Sequence, residues 1–161
     1  MGIRLADIDD GPRLWALRLE MLADAPLAYL DTVDRAVSRG WREYRHRVHA
    51  WVTAPDRALF VAEQSGVLVG HLGAVDERGY TGLVMVYVTP AARGTAALKG
   101  LVDAAAEWSR VGGRRELLLE VMERNHRAIR AYEKLGFVAT GARHPHPYLA
   151  PFTELEMTRA V

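Results

Sequence analysis

The sequence predicts a three-layer α+β fold, in which a mixed, mostly antiparallel sheet of about seven strands is flanked by about four helices. Strand-like runs in the first half are joined by short turns and must pair antiparallel, whereas strand and helix patterns alternate in the second half. A chain of 161 residues, half of them hydrophobic, can bury one sizeable core. Because no linker, repeat or low-complexity segment interrupts it, residues 1–161 are expected to form one domain.

The first third of the chain is predicted to be mainly helical. After a short alternating run, apolar residues recur at helical spacing in two separate stretches. A segment containing Pro26 separates these stretches and is expected to be irregular. The expected elements are a strand over 2–8, a helix over 13–23, the irregular segment over 24–34 and a helix over about 38–52.

The middle of the chain changes to the alternation typical of strands. Three such runs are separated by Gln-Ser-Gly and Asp-Glu-Arg-Gly, which are typical turn sequences. Connections this short require neighbouring strands to be antiparallel. The predicted meander therefore consists of strands over 58–63, 67–75 and 80–88.

The second half predicts a strand–helix–strand crossover followed by a further helix and two closing strands. A Gly-Gly pair ends the first helix, and the apolar run after it is typical of a strand covered on both faces. A crossover helix implies that the strands over 83–88 and 117–121 pair in parallel. The predicted elements are a helix over 95–111, a strand over 117–121, a helix over 126–135 and strands over 137–140 and 152–158.

Composition excludes several classes of function. The 21 basic and 20 acidic residues nearly balance and form no basic block, so neither nucleic acid nor an acidic membrane surface is indicated as a partner. The absence of cysteine excludes disulfides, thiol nucleophiles and thiolate metal sites. No apolar run approaches membrane-spanning length and no signal-like segment opens the chain, so we expect a cytoplasmic protein.

The segment from Val86 to Leu98 predicts a strand, a loop and the start of a helix. A helix N-terminus presents unpaired backbone N–H groups and can bind an anion such as a phosphate, and Arg93 would add positive charge. Gly94 permits a positive φ, and Thr95 can either cap the helix or donate to a phosphate oxygen. The alternative interpretation is an ordinary strand–helix turn that binds no ligand.

A second segment, Asn125 to Phe137, predicts a short amphipathic helix. Asn125 is suited to cap its first turn, and helical spacing places Ala128 and Tyr132 on one apolar face. Tyr132 would then point inward with a hydroxyl that needs a partner. The alternative is a tyrosine with no role beyond the core.

Together the two segments resemble the GNAT superfamily of N-acetyltransferases, and the resemblance covers essentially the whole chain. The family's cofactor loop has the pattern Arg/Gln-x-x-Gly-x-Gly/Ala, whose first position Arg93 matches. Further downstream the family has Asn-x-x-Ala-x-x-x-Tyr-Glu-x-x-Gly-Phe. The residues that match this second pattern are Asn125, Ala128, Tyr132, Glu133, Gly136 and Phe137.

The resemblance implies acetyl-CoA as co-substrate and assigns binding roles to both segments. The backbone of Val86, Tyr87 and Val88 would pair with the pantetheine arm, as an added strand does. Asn125 would lie near the pantetheine, and Tyr132 would protonate the departing thiolate as general acid. The loop residues expected to hold the pyrophosphate are Gly94, Thr95, Ala96, Ala97, Leu98 and Lys99.

An amine acceptor must lose a proton, and the resemblance points to Glu120 as the base. In protein N-terminal acetyltransferases of this superfamily, a glutamate five residues before the asparagine does this work, and Glu120 lies five residues before Asn125. Burial beside the cofactor would suit Glu120 to the role. Alternatively it is a solvated strand-end carboxylate, Glu123 is the base, or water suffices. The strand over 83–88 carries no carboxylate and is excluded.

Two loop residues depart from the family pattern. Ala96 stands where the pattern has Gly, which right-handed helical backbone tolerates. Leu98 stands where it has Gly or Ala, and helical spacing predicts that its side chain points into the core. We therefore expect an acetyl-CoA-dependent N-acetyltransferase in which the amine attacks the thioester directly. The alternative is a degenerate, non-catalytic module that binds acyl-CoA or another protein.

The sequence says least about the acceptor, which is expected to be an amine on a small molecule or a peptide. Aromatic and histidine side chains could line its pocket, although such residues are more often part of a core or an ordinary loop. With no carboxylate expected near His144 and His146, no metal site is expected. A homodimer, common in this superfamily, is possible. The pocket candidates are Tyr29, Trp41, His144, His146 and Tyr148.

Overall fold

A computed structural model describes residues 1–26, 28–29, 31–146 and 150–161. It contains one seven-stranded sheet with helices on both faces, which confirms the predicted fold class. The elements, in chain order, are β1 (Gly2–Leu5), α1 (Gly11–Asp24), α2 (Val33–Thr53), β2 (Arg57–Gln64), β3 (Val67–Asp76), β4 (Thr81–Val88), α3 (Ala97–Val111), β5 (Glu116–Met122), α4 (His126–Lys134), β6 (Val138–Pro145) and β7 (Thr153–Ala160).

The strands follow the order β1-β2-β3-β4-β5-β7-β6, and every neighbouring pair is antiparallel except β4 and β5. The predicted meander and parallel crossover are therefore confirmed. The expected extent of the parallel pairing was wrong, because only Thr81 with Leu117 and Gly82 with Leu118 are in register. Beyond these two pairs β4 and β5 diverge, and a gap opens in the sheet.

A bulge in β4 accompanies this divergence. Tyr87 lies opposite His71 of β3, whereas Val84 lies opposite Gly73, so β4 contains one residue more than β3 over this stretch. Met85 lies inside the bulge with a φ of 53°, in the left-handed region. An extra residue bends the strand that carries it and increases its twist. The bulge thus explains why β4 leaves β5 after two residue pairs.

Two hydrophobic clusters occupy opposite faces of the sheet, as the alternation of side chains along β2 requires. Leu59 and Val61 pack against α1 and α2 on one face. Phe60 packs against α3 on the other face, in the cluster that also contains Tyr132 of α4 and Phe137. Helices α1 and α2 therefore cover one face of the sheet, and α3 and α4 cover the other.

Several boundaries differ from the sequence prediction. Strand β1 ends at Leu5 rather than 8, because Asp7 caps a short 3-10 helix over Ile8–Asp10, and α1 begins at Gly11 rather than 13. Helix α2 begins at Val33 rather than near 38, because Thr32 caps it and Gly40, with a φ of 76°, joins two helical stretches in one element. Helix α3 begins at Ala97 rather than 95. Strand β6 extends to Pro145, past a register shift that includes Gly141. Within the described residues, no helix is long and apolar enough to cross a membrane.

Candidate active site

A cavity of about 1030 Å³ occupies the gap between β4 and β5. Its walls include Met21 of α1 on one face of the sheet and Ala128 of α4 on the other. The splayed strands also line it, with Val86 of β4 and Leu119 of β5 among the lining residues. The cavity therefore passes through the sheet and reaches both layers of helices.

The edge of β4 that β5 leaves has its backbone carbonyls contacted by side chains. The Tyr29 hydroxyl donates to the Val86 carbonyl at 2.9 Å, and Arg93 Nε donates to the Val88 carbonyl at 3.2 Å. Tyr87, between them, lies opposite His71 of β3, and its side chain packs into the α1/α2 cluster. An extended ligand could use this open edge as an added strand does.

The loop before α3 has the features of an anion site. Gly94 has a φ of 77°, and Thr95 Oγ1 accepts from the Ala97 N–H at 3.3 Å while donating to the Ala92 carbonyl at 2.6 Å. A set of backbone N–H groups at this point has no acceptor among the described residues, which leaves it free to bind a phosphate. These groups belong to Gly94, Ala96, Leu98 and Lys99.

Arg93 does not add free positive charge to that loop. Its guanidinium forms an ion pair with Asp24 of α1 and lies 6.0 Å from the centre of the Tyr87 ring. With its Nε held by the Val88 carbonyl, the side chain ties the loop to α1 and β4. The charge of Arg93 is therefore paired with Asp24 in this structure, and its contribution to anion binding stays a prediction.

The two departures from the family's loop pattern have different consequences. Ala96 has right-handed backbone (φ −72°, ψ −1°), so its β-carbon is tolerated as predicted. Leu98 is half-buried: it packs against the α3/α4 core as expected, and it also lines the cavity. Ala97 is fully buried, and Lys99 pairs with Asp103 on the outside of the helix.

Tyr132 is brought to the cavity wall by α4. Asn125 caps this helix as predicted, accepting from the Ala128 N–H at 3.2 Å, and it also lines the cavity. The Tyr132 ring is 8% exposed and meets Phe137 edge-on at 5.7 Å. Among the described residues its hydroxyl has no hydrogen-bond partner, and burial raises its pKa. The group is therefore a protonated phenol whose donor is free.

The two candidate bases differ in their surroundings. Glu120 of β5 lines the cavity but is 44% exposed, so the expected burial is not found. Glu123 accepts hydrogen bonds from Thr153 Oγ1 at 2.7 Å and Arg143 Nε at 2.9 Å, which hold its pKa below the usual range. A carboxylate stabilised in its charged form is a weak base. Glu120 is therefore the better placed of the two.

The expected acceptor side chains are mostly elsewhere. Tyr29 lines the cavity, whereas Trp41 packs near Tyr44 outside it and His146 is buried. Tyr148 lies outside the described residues. His144 does have carboxylates nearby, contrary to expectation, because β5, β7 and β6 bring ligand atoms of Glu120, Glu156 and His144 within 4.8 Å of one another.

Sequence reasoning missed a set of arginines on the α1/α2 side of the cavity. These side chains look like solvated surface charges when each is considered alone. The signal that could have revealed them is their spacing, since charged residues recur every fourth position along α2 and therefore share a face. The arginines lining this wall are Arg18, Arg35, Arg39 and Arg47.

Comparison with known proteins decides the family. Residues 21–137 match the model of the acetyltransferase (GNAT) family. The chain belongs to this family. It is 30% identical over 140 residues to an IAA acetyltransferase of Azospirillum brasilense, an alignment covering 84% of this chain and 91% of that protein.

Solved structures agree with this assignment at the level of the fold. A GNAT-family acetyltransferase from Streptococcus pneumoniae has a TM-score of 0.81 at 20% identity, covering 99% of this chain and 98% of that one. A putative acetyltransferase from Salmonella typhimurium, solved with its cofactor acetyl-CoA, has a TM-score of 0.74 at 21% identity, covering 99% and 93%. The family match supports acetyl transfer, and these structures support the fold.

Proposed function

We propose that this GNAT protein transfers the acetyl group of acetyl-CoA to an amine that attacks the thioester directly. The observation that carries the proposal is a cavity lined by Gly94 and Leu98 of the loop with free amides, by the open edge of β4 and by Tyr132, whose hydroxyl has no partner among the described residues. These are the groups needed to hold a phosphate, an extended arm and a leaving thiolate.

The binding residues fit acetyl-CoA. The amides of Gly94, Ala96, Leu98 and Lys99 would hold the pyrophosphate, and the backbone of Val86 and Val88 would pair with the pantetheine. Tyr29 would then have to release the Val86 carbonyl, which it contacts at 2.9 Å. When bound, acetyl-CoA supplies an acyl group already activated as a thioester.

The reaction balances with two groups of this chain. As the amine nitrogen forms a bond to the acetyl carbon, the carbon–sulfur bond breaks. Glu120, directly or through water, takes the proton that the amine loses, and Tyr132 gives its phenolic proton to the sulfur. The exposure of Glu120 lets it return that proton to solvent, and Tyr132 regains a proton from water that enters the cavity as the products leave. Because the chain has no cysteine, no thioester to the protein can form.

A second candidate function is binding of acyl-CoA without catalysis. The observation in its favour is that Leu98 lines the cavity where the family pattern has Gly or Ala. A bulkier side chain there reduces the room beside the loop amides. Both functions require binding, so they are separated only by turnover.

The first test is thermal unfolding with acetyl-CoA, followed by thiol release with a panel of amines. A ligand that binds the folded state increases the free energy of unfolding, by about 2.7 kcal/mol at a hundredfold excess over Kd, and so raises the melting temperature. No shift at saturating acetyl-CoA would refute both candidate functions. A shift without thiol release from any amine would support the binding module instead.

Tyr132→Phe tests the general acid. We expect thiol release to fall about 10²-fold or more, with acetyl-CoA affinity nearly unchanged, because the donor is lost and the ring is kept. Tyr44→Phe is the matched control: it removes the hydroxyl of a half-buried tyrosine that donates to the Leu14 carbonyl and does not line this cavity. Unchanged turnover of Tyr132→Phe would rule out the assignment.

Glu120→Gln tests the base. Thiol release should fall by about tenfold or more at neutral pH and recover as the pH is raised, since the amine then reaches the site already deprotonated. Glu123→Gln, which alters a carboxylate outside the cavity lining, serves as control. If Glu120→Gln leaves the rate of thiol release unchanged at every pH, water rather than Glu120 is the base.

A further inference from the structure

The α1/α2 side of the cavity carries more positive than negative charge. Four arginines line this wall against three carboxylates, Asp24, Asp31 and Glu43. Asp24 is paired with Arg93 of the neighbouring loop, so the excess is two positive charges once that pair is counted. Asp31 pairs with both Arg18 and Arg39, and Arg39 also pairs with Glu43 at 3.0 Å. The carboxylates of the wall are therefore already engaged.

Arg18 is the most buried of these arginines, with a side chain only 7% exposed. One of its terminal nitrogens donates to Asp31, whereas its Nε is buried and has no hydrogen-bond partner among the described residues. A buried donor without an acceptor costs free energy, and the cost rises when the group is charged. An acceptor atom supplied by a ligand would remove that cost.

Arg47 adds a second incompletely satisfied cation. It is half-buried on α2, and neither an ion pair nor a hydrogen bond is found for it within the part of the chain that the structure describes. Burial, followed by the neighbouring Arg18 and Arg39, lowers the pKa of its guanidinium. The nearby carboxylate, Asp31, already serves two other arginines.

The opposite side of the cavity carries more negative than positive charge, with three carboxylates against Arg127 of α4. Glu120 and Glu154 both line it. Burial, followed by the charge of the nearby Glu120, raises the pKa of Glu154. Glu77 lines the same side next to Tyr80. One cavity thus has a cationic end beside α1 and α2 and an anionic end beside β5 and β7.

We propose that the acceptor is a small amine that also carries an anionic group, such as a carboxylate, with the anion bound by Arg18 and Arg47 and the amine turned toward Glu120. Guanidinium groups bind carboxylates and phosphate-like groups through paired, charge-assisted hydrogen bonds. The carboxylates at the other end attract the ammonium form and place it beside the base. This inference rests on the proposed function.

The experiment compares free amino acids with the corresponding amino acid amides, which keep the amine and lose the negative charge. Thiol release from acetyl-CoA is measured for each acid–amide pair. We expect kcat/KM for at least one amino acid to exceed that of its amide by about tenfold or more, the size of a charge-assisted contact. A preference for amides, polyamines or other amines without an anionic group would overturn the inference.

Arg47→Met identifies the group responsible. The preference for acid over amide should shrink by about tenfold through a higher KM for the acid. Arg45→Met is the matched control, because Arg45 lies on the same helix, is exposed and does not line the cavity. An acid preference that Arg47→Met leaves intact would overturn the assignment of the anion to this wall.

The outcomes separate this inference from the function on which it rests. If acetyl-CoA raises the melting temperature but thiol is released only with amines that lack an anionic group, the proposed acetyltransferase function is kept and this inference alone is overturned. The absence of both the shift and thiol release would overturn both. Binding of a free amino acid, detected by thermal shift and lost in Arg47→Met, would support the inference independently of turnover.

Discussion

Two clusters of arginine and aspartate in this protein have nearly the same composition but differ in how completely they are satisfied. Asp10, at the start of α1, is fully buried and pairs with Arg4 and Arg13, while Glu63 pairs with the same two arginines. Two cations therefore face two carboxylates at 3.4 Å or less, and a third, Asp7, lies 3.9 Å from Arg4. Every charge in this cluster has a partner inside it.

The cluster around Asp31 is left incomplete. Arg18 and Arg39 share this carboxylate, Arg47 has no ion pair within the described residues, and the buried Arg18 Nε has no acceptor. The first cluster lies outside the cavity lining and the second forms part of it. The first cluster is thus paired within itself, whereas the second leaves a cation beside the cavity without a partner among the described residues, as the proposed anion site requires.

Replacing the central aspartate of each cluster by asparagine should give the largest difference in the free energy of unfolding. Asp31→Asn should reduce the free energy of unfolding by about 4 kcal/mol, because it leaves Arg18 buried without its carboxylate. Asp10→Asn should cost less, about 2 kcal/mol, because Glu63 still pairs with both arginines. Urea unfolding of both variants measures this. Equal losses would contradict the distinction between the clusters.

The cluster around Asp10 should also make the stability of the protein depend on pH in the acid range. The hydrogen bond from Arg4 holds the pKa of Asp10 at about 2, below its unfolded value of about 3.9. A depressed folded pKa contributes stability above pH 3.9 that is lost as the pH falls through about 2. The loss is at most about 2 kcal/mol, since both arginines are partly exposed and screened.

The comparison for this second prediction is the Asp10→Asn variant, which has no carboxyl to titrate. Its stability should change less between pH 4 and pH 2 than that of the unaltered chain. Chemical denaturation at a series of pH values gives both curves. Parallel curves for the two proteins would show that Asp10 is not the titrating group.

The smallest expected change in stability comes from replacing one arginine of each cluster by methionine, and only the first cluster should be destabilised. Arg4→Met should destabilise by about 1 kcal/mol, since it removes hydrogen bonds to Asp10 and Glu63 from a partly exposed position. Arg47→Met should leave stability unchanged or raise it by up to about 1 kcal/mol, because a half-buried cation without a partner is removed. Melting temperatures of the two variants test this, and a destabilised Arg47→Met would contradict it.

The parts of the fold that could be predicted depend on local patterns. Alternation along β2 and β3, the Gly-Gly end of α3 and the Asn125 cap of α4 each specify an element from neighbouring residues, and the structure confirms them. The extent of the β4–β5 pairing could not be predicted in this way. It depends on a bulge at Met85, where a residue without special turn chemistry adopts a positive φ.

The candidate site shows the same division. Tyr132, Asn125 and the loop at Gly94 were found because each belongs to a short segment with a recognisable pattern. The arginine wall combines Arg18 of α1 with residues of α2, and only the packing of the two helices brings them together. The burial of Arg18 and the exposure of Glu120 are likewise tertiary properties that no local pattern contains.

The gap between β4 and β5 has a consequence for the order in which substrates bind. Because the cavity reaches both faces of the sheet, a donor held by the α3 and α4 side does not block an acceptor arriving from the α1 and α2 side. Neither substrate needs to leave before the other binds. Initial-rate plots against one substrate, at fixed levels of the other, should therefore intersect rather than run parallel.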